Sequence, residues 1–207
     1  GKSAEADKEH LAAICVEVAM AAAIEDINIV QRPNGKVKES TAIAGLLIDG
    51  EKLDHVMPDA VENPKIGLIA ADIDIPDYAQ QLNVQLKDNS GVKEFIDSRN
   101  AQLVEIGERL VATGLNVLFC SRELHPAVIE HLAGNDIYAV RRVRRSDMEA
   151  LAKSTDARIV MNIDTFSDKD LGTADLLEEV SIGERPMIKI TGTPNKSTVS
   201  VLVRAPT

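Results

Sequence analysis

The sequence predicts a mixed α/β fold with a parallel βαβαβ centre and β-rich segments on either side. Three observations carry that reading. Short apolar runs at 116–121, 137–140 and 158–161 alternate with amphipathic segments at 126–133 and 147–153, the pattern of consecutive βαβ units. The punctuation agrees, since Gly114 precedes the first run, Gly134 follows the first helix, and Ser146-Asp147-Met148-Glu149 has the form of a capping box. Strands joined through helices in this way run parallel, with right-handed crossovers.

The other elements follow in chain order. A helix is predicted over 3–24, with Leu11, Ile14, Cys15, Val18 and Ala22 as its apolar stripe and an alanine-rich remainder that favours helix. A strand over 27–32 leads through the turn Pro33-Asn34-Gly35 into 36–39. One strand is expected over 44–49, ending at Gly50, and another over 65–70 after a loop that contains Met57-Pro58 and Asn63-Pro64. Alternation over 72–75 and the spacing of Leu82, Val84 and Leu86 give short strand-like pieces around a polar loop at 78–81. Val92, Phe95, Ile96, Leu103, Ile106 and Leu110 then mark a helix running to Gly114, longer than one crossover requires, so its first half is expected to project. Residues 167–170 form a second capping pattern, and strands are expected over 174–182, 187–191 and 198–204. The link Gly192-Thr193-Pro194-Asn195-Lys196 reads as a plain hairpin turn.

Composition limits the function classes. A chain of 207 residues, 44% apolar, can bury a proper core in one or two domains. No apolar run approaches the ~20 residues needed to span a bilayer, and no signal peptide is recognisable, so a soluble, cytoplasmic protein without membrane partners is expected. The net charge of -10 weighs against nucleic acid as the main partner. Cys15 and Cys120 fall on apolar faces, where buried thiols are expected rather than a disulfide or a nucleophile. A start at Gly1 instead of Met suggests a fragment or a processed chain.

Chemical motifs are scarce. The chain has no C-x-x-C, H-E-x-x-H, G-x-G-x-x-G or G-x-S-x-G, and the segment from Gly192 to Ser197 is too short for a phosphate loop. His10, His55, His125 and His131 are dispersed, which suits surface histidines better than a metal site. Arg141, Arg142, Arg144 and Arg145 are the densest charge run. With only Phe95, Phe119, Phe166, Tyr78 and Tyr138 as aromatics, a salt-bridged strand end fits them better than a nucleic-acid surface. Asp147, Asp164 and Asp168 could supply a carboxylate pair, although Asp147 and Asp168 serve as first-turn helix charges. A small α/β enzyme with a carboxylate site near Asp164, at the C-terminal ends of the central strands, therefore stays open as the alternative function.

Residues 137–153, reading Ile-Tyr-Ala-Val-Arg-Arg-Val-Arg-Arg-Ser-Asp-Met-Glu-Ala-Leu-Ala-Lys, resemble the apical-domain signature of group II chaperonins, the archaeal thermosome family. Further matches are Gly1-Lys2 with 4–9, Met57-Pro58, Val61-Glu62-Asn63 with Lys65-Ile66, 116–120, and Ala157-Arg158-Ile159-Val160. The resemblance implies an apical domain over 41–191, a β-sandwich flanked by helices, with intermediate-domain portions at 1–40 and 192–207. It also implies a lid-forming protrusion over about 79–99, including Leu86, Val92, Phe95 and Ile96. The client groove would follow the helix at 126–133, with the loop that precedes the protrusion on its other side. There Leu124, Val128 and Leu132 are expected to face the sheet, and Ile129, Glu130 and Ala133 to form the rim.

The partners implied are non-native proteins and, in the full-length protein, other chaperonin subunits in a double ring. The family's nucleotide loops belong to its equatorial domain, and its catalytic Asp lies beyond an R-G-G-T segment. This chain reads Arg204-Ala205-Pro206-Thr207 at that point. The fragment itself is expected to be no enzyme and to take no cofactor, whereas the full-length parent uses ATP and Mg. Two smaller departures are Asn89, where the family commonly has Pro, and Thr193, where it commonly has Cys.

Overall fold

The computed structural model describes residues 2–21, 27–75, 89–183, 185–196 and 198–206, without the side chains of 2, 3 and 89–95. α1 (Lys2–Ala21) opens the chain and is followed by β1 (Ile27–Arg32), a 3-10 turn at Val37–Glu39, β2 (Thr41–Ala44) and β3 (Leu46–Asp49). Then come β4 (Ala60–Glu62), β5 (Lys65–Ile69), α2 (Asn89–Ala112), β6 (Val117–Cys120), α3 (Pro126–Ala133) and β7 (Tyr138–Val140). α4 (Arg145–Thr155), β8 (Ile159–Val160), β9 (Gly172–Thr173), β10 (Leu176–Ile182), β11 (Arg185–Thr191) and β12 (Val199–Arg204) complete the described elements. The mixed α/β class predicted from the sequence is the one observed.

At the centre lies a parallel sheet in the order β7-β6-β5-β8, with β9 antiparallel against β5. β6 and β7 are buried throughout and β5 is buried beyond its first residue, which is why they read as unbroken apolar runs. Successive side chains serve opposite faces. Leu68, Val117, Phe119 and Tyr138 join Leu46, Ile48, Leu177 and Ile188 of the antiparallel sheet β3-β11-β10-β4, together with Met148 and Leu151 of α4. On the other face Ile69, Leu118 and Cys120 join Leu103 and Leu110 of α2 and Val128 and Leu132 of α3. Two sheets face to face with helices outside them give the flanked sandwich that the resemblance implied.

The third sheet, β1-β12-β2, pairs β1 with β12 in parallel and β12 with β2 antiparallel. It corrects several local expectations. The run 44–49 is two strands, because Gly45 at φ +136 redirects the chain from this sheet into the four-stranded one. A Cβ at Gly45 would collide with the carbonyl oxygen of Ile190. The return passes Gly192 at φ +67, so β11 and β12 lie in different sheets and the link between them is no hairpin. Residues 36–39 likewise form no second hairpin strand, since β1 finds its partner in β12.

Other differences are smaller. β8 pairs with β5 instead of β7, so the three strands expected side by side are split by the strand from 65–69. α4 begins at Arg145 with Arg144 as an N-cap that makes no side-chain cap bond, so the capping box expected at 146–149 is not used. Asp147 instead accepts from Arg144 Nε at 3.1 Å. The second capping pattern does form, on the 3-10 turn Asp168–Asp170. β4 was not legible, being three residues held by β10. In α1 only Ile14 and Val18 of the described stripe are buried, and Cys15, one position round the helix, is exposed. Ala22 and the segment with Leu82, Val84 and Leu86 lie outside the described residues, and 72–75 contributes only a bridge from Ile73 to Leu124.

Candidate functional site

α3 starts where the sequence placed it, for local reasons. His125 Nδ1 accepts a hydrogen bond from the Ala127 amide at 3.1 Å, and Pro126 occupies the first turn, where its missing N–H costs nothing. Val128 and Leu132 are buried, as is Leu124 just before the helix. Of the predicted rim, Glu130 is exposed and Ile129 is half-buried against the cluster that joins the sheet to the helices. Ala133 is only 4% exposed, which removes it from the rim. An eight-residue helix packed against both the sheet and α2 buries a wider arc than one i, i+4 stripe, and the last turn falls inside it.

α2 supplies the neighbouring wall. Gly107 is buried at the crossing, where a Cβ would lie 2.7 Å from His131 Cδ2, so glycine lets the two helices approach closely. Two apolar residues of α2 remain outside the core: Ile96 is 50% exposed and Val104 is 42% exposed. Val104 lies within a turn of the Gly107 crossing. Sequence reasoning passed over it, although it sits off the Leu103-Ile106-Leu110 stripe and so has no place in the core. Leu86 lies outside the described residues, as do the side chains of Val92 and Phe95.

The loop at 71–75 is tied to both helices. The Ile73 amide donates to Glu123 O at 2.9 Å, and the His125 amide donates to Ile73 O at 2.9 Å. Arg99 of α2 donates to Asp74 Oδ1 at 3.2 Å. The loop is therefore fixed to the start of α3 and to α2, and these three elements carry half-buried Ile75 and Ile129 and exposed Val104 and Glu130.

The C-terminal ends of the parallel strands, where open α/β sheets commonly hold ligands, have a different character. A cavity of about 680 Å³ there is lined by Arg122, Arg142, Arg144 and Arg145, together with Met148 and Met161. The arginine run is salt-bridged as expected: Arg141 and Arg142 to Glu123, Arg144 to Asp49 and Asp147, and Arg145 to Glu149. Asp164 does not line this cavity; its side chain is 71% exposed and accepts from Arg109 at 2.9 Å. Among the described residues no group of three His, Cys, Asp or Glu is placed to hold a metal. Three of the four histidines make structural contacts, His125 as a cap, His131 at the helix crossing and His10 with its Nε2 2.8 Å from Ser40 O. No helix among the described residues is long and apolar enough to cross a membrane.

A sandwich with this helix pair is the architecture of a chaperonin domain, and the chain belongs to the TCP-1/cpn60 chaperonin family, matching it over residues 1–207. It is 35% identical to thermosome subunit beta of Thermoplasma acidophilum and 35% identical to a thermosome subunit of Methanocaldococcus jannaschii, in each case over all of this chain and 40% of the relative. An open-state monomer of a group II chaperonin from Methanococcoides burtonii superposes with a TM-score of 0.80 at 31% identity, over all of this chain and 48% of that one. The chain thus spans about 40% of the length of these curated relatives.

Proposed function

We propose that this chain is the client-binding and lid-forming portion of a group II chaperonin subunit. In the full-length protein it would work within a double ring of subunits that folds non-native proteins with ATP and Mg. The observation that carries the reading is the set of elements α2, α3 and the loop at 71–75, on a chain of this family: the loop is joined to the start of α3 by backbone bonds and to α2 through Arg99 and Asp74, and the elements leave Val104 and Glu130 exposed and Ile129 half-buried. The apical portion would run over 41–191, hinged to intermediate-domain portions close to Gly45 and Gly192, where the chain changes sheets. The lid would be carried by about 79–99, with Leu86, Val92, Phe95 and Ile96 as its apolar contacts.

Such a surface suits unfolded chains. Fully burying a valine or isoleucine side chain contributes about 1.5–3 kcal/mol, so half-exposed residues contribute less each, and ordering a flexible client offsets part of that. Weak capture of many sequences follows. The test is suppression of aggregation of a chemically unfolded model protein by the 207-residue chain. Val104→Asp should reduce capture severalfold while moving the thermal midpoint by only a few degrees, as surface changes do. Ile129→Asp should reduce capture and also cost about 1–3 kcal/mol of stability, because Ile129 is half in the core. Capture unchanged in both variants would place the binding surface elsewhere.

A further inference from the structure

A second site lies where the end of β10 and the start of β11 meet the ends of β1 and β12. A cavity of about 410 Å³ there is lined by three arginines, Arg32, Arg185 and Arg204, with Asn34 and Gly183 among the remaining walls. Arg32 and Arg204 are register partners across the parallel β1–β12 pair, so two like charges stand directly opposite each other, an arrangement that destabilises a sheet unless something compensates it. Both are largely buried, Arg204 with its side chain only 7% exposed. Arg185 forms no ion pair among the described residues.

The carboxylates nearby compensate only in part. Arg32 forms an ion pair with Asp49, and Arg204 Nε lies 3.3 Å from Glu39 Oε2. Yet Arg32 Nε is buried without a hydrogen-bond partner, and Arg204 Nε, equally buried, has only that ion contact with Glu39 and makes no hydrogen bond. The fork of Arg204 is fixed: Nη2 donates to Asn34 O at 3.1 Å, a Cβ at Gly35 would overlap the guanidinium, and one at Gly183 would sit 3.3 Å from Nη1. Burial, followed by the charges of Arg185, Arg144 and Arg204, depresses the pKa of Arg32, as expected of a cation crowded by cations. Three guanidinium groups on one cavity, two of them anchored, form a pre-organised anion receptor.

We infer that this cavity binds one compact tetrahedral oxyanion of the phosphate class, held by Arg32, Arg185 and Arg204 and bridging the three-stranded sheet to the β10–β11 hairpin. A carboxylate has two oxygens and would leave one fork unmet, whereas a tetrahedral anion offers an acceptor to each of the three. The inference is independent of the client-binding surface, which shares no residue with it.

Calorimetric titration of the 207-residue chain with inorganic phosphate, against acetate and chloride at matched ionic strength, tests it. Phosphate should bind saturably at one site, more tightly than acetate. Arg185→Gln should weaken phosphate binding about tenfold or more, and it should leave the anion-free thermal midpoint unchanged or raised, because it relieves repulsion. Arg145→Gln, an exposed arginine paired with Glu149 and outside this cavity, should leave binding as in the parent. Absence of saturable phosphate binding, equal response to acetate, or equal weakening by the two substitutions would overturn the assignment.

Discussion

Cys120 and Tyr138 occupy adjacent strands of the parallel sheet, and burial and nearby carboxylates hold the proton on each. Burial is the first cause in each case: it pushes the Cys120 thiol up to about 12, and with the help of Glu179 it drives the Tyr138 phenol further above its ordinary range. The Tyr138 hydroxyl donates to Glu179 Oε2 at 3.0 Å, a bond that only the protonated phenol can make. The folded state therefore keeps two protons that the unfolded chain releases at the ordinary pKa values of a thiol and a phenol, 9.0 and 10.0. With more protons bound when folded, stability must fall as pH rises, by about 1.4 kcal/mol per pH unit for each group between its unfolded and folded pKa. Urea unfolding between pH 8 and 11 should follow that slope, and Cys120→Ala, although less stable at pH 8, should show a shallower fall from pH 9 to 10. An identical pH dependence in the variant would remove Cys120 from this account. Burial of Cys120 was readable from its apolar run. Exposure of Cys15 was not, because α1 contacts the body along so narrow a line that the neighbouring position already faces solvent.

Elements bounded by their own caps were the ones legible in the sequence. α3 matches its expected limits because His125, Pro126 and Gly134 fix both ends locally, and β6 follows from an apolar run with a glycine before it. What could not be read was which strand pairs with which. A strand pattern states that a segment is extended and which face is apolar, but sheet membership depends on partners more than a hundred residues away, such as Gly45 beside Ile190. The same limit applies to the candidate site: Glu130 and the outer edge of Ile129 follow from helical spacing, while the burial of Ala133 depends on α2 crossing at Gly107. Gly45→Ala tests the sheet change directly. Its positive φ disfavours any side chain, and the new Cβ would meet backbone rather than a side chain that can swing away, so at least about 2 kcal/mol should be lost. Gly107→Ala meets the His131 side chain, whose ring can rotate although its Cβ at 3.2 Å cannot, and should cost less. Chemical denaturation of the two variants decides; equal losses would mean that the Gly45 crossing relaxes easily.

For the molecule as a whole, stability is unevenly spread. The two large clusters enclose both faces of the parallel sheet, whereas the three-stranded sheet and α1 share a cluster built on Ile14, Val18 and Val199, with Ile27, Ala42 and Val201 at its margin. α1 is 20 residues long, yet Val16 and Met20 point outward and are well exposed. Most helical stability in a protein comes from packing of an apolar face, and here two buried side chains, at about 1.5–3 kcal/mol each, and the contact of His10 Nε2 with Ser40 O at 2.8 Å hold α1 against the rest. Few buried contacts over a long backbone favour local opening well below the global unfolding free energy. Amide hydrogen exchange on the 207-residue chain should therefore place α1 among the fastest-exchanging elements, with Leu118 and Phe119 exchanging only through global unfolding. Ile14→Ala should release α1 further, while the protection of Val117–Cys120 stays unchanged, because the apolar clusters that bury that strand contain no residue of α1. If α1 instead exchanges in step with Leu118 at every denaturant concentration, helix and sandwich unfold as one cooperative unit. The small cluster at Ile14 would then couple them far more strongly than its buried area implies.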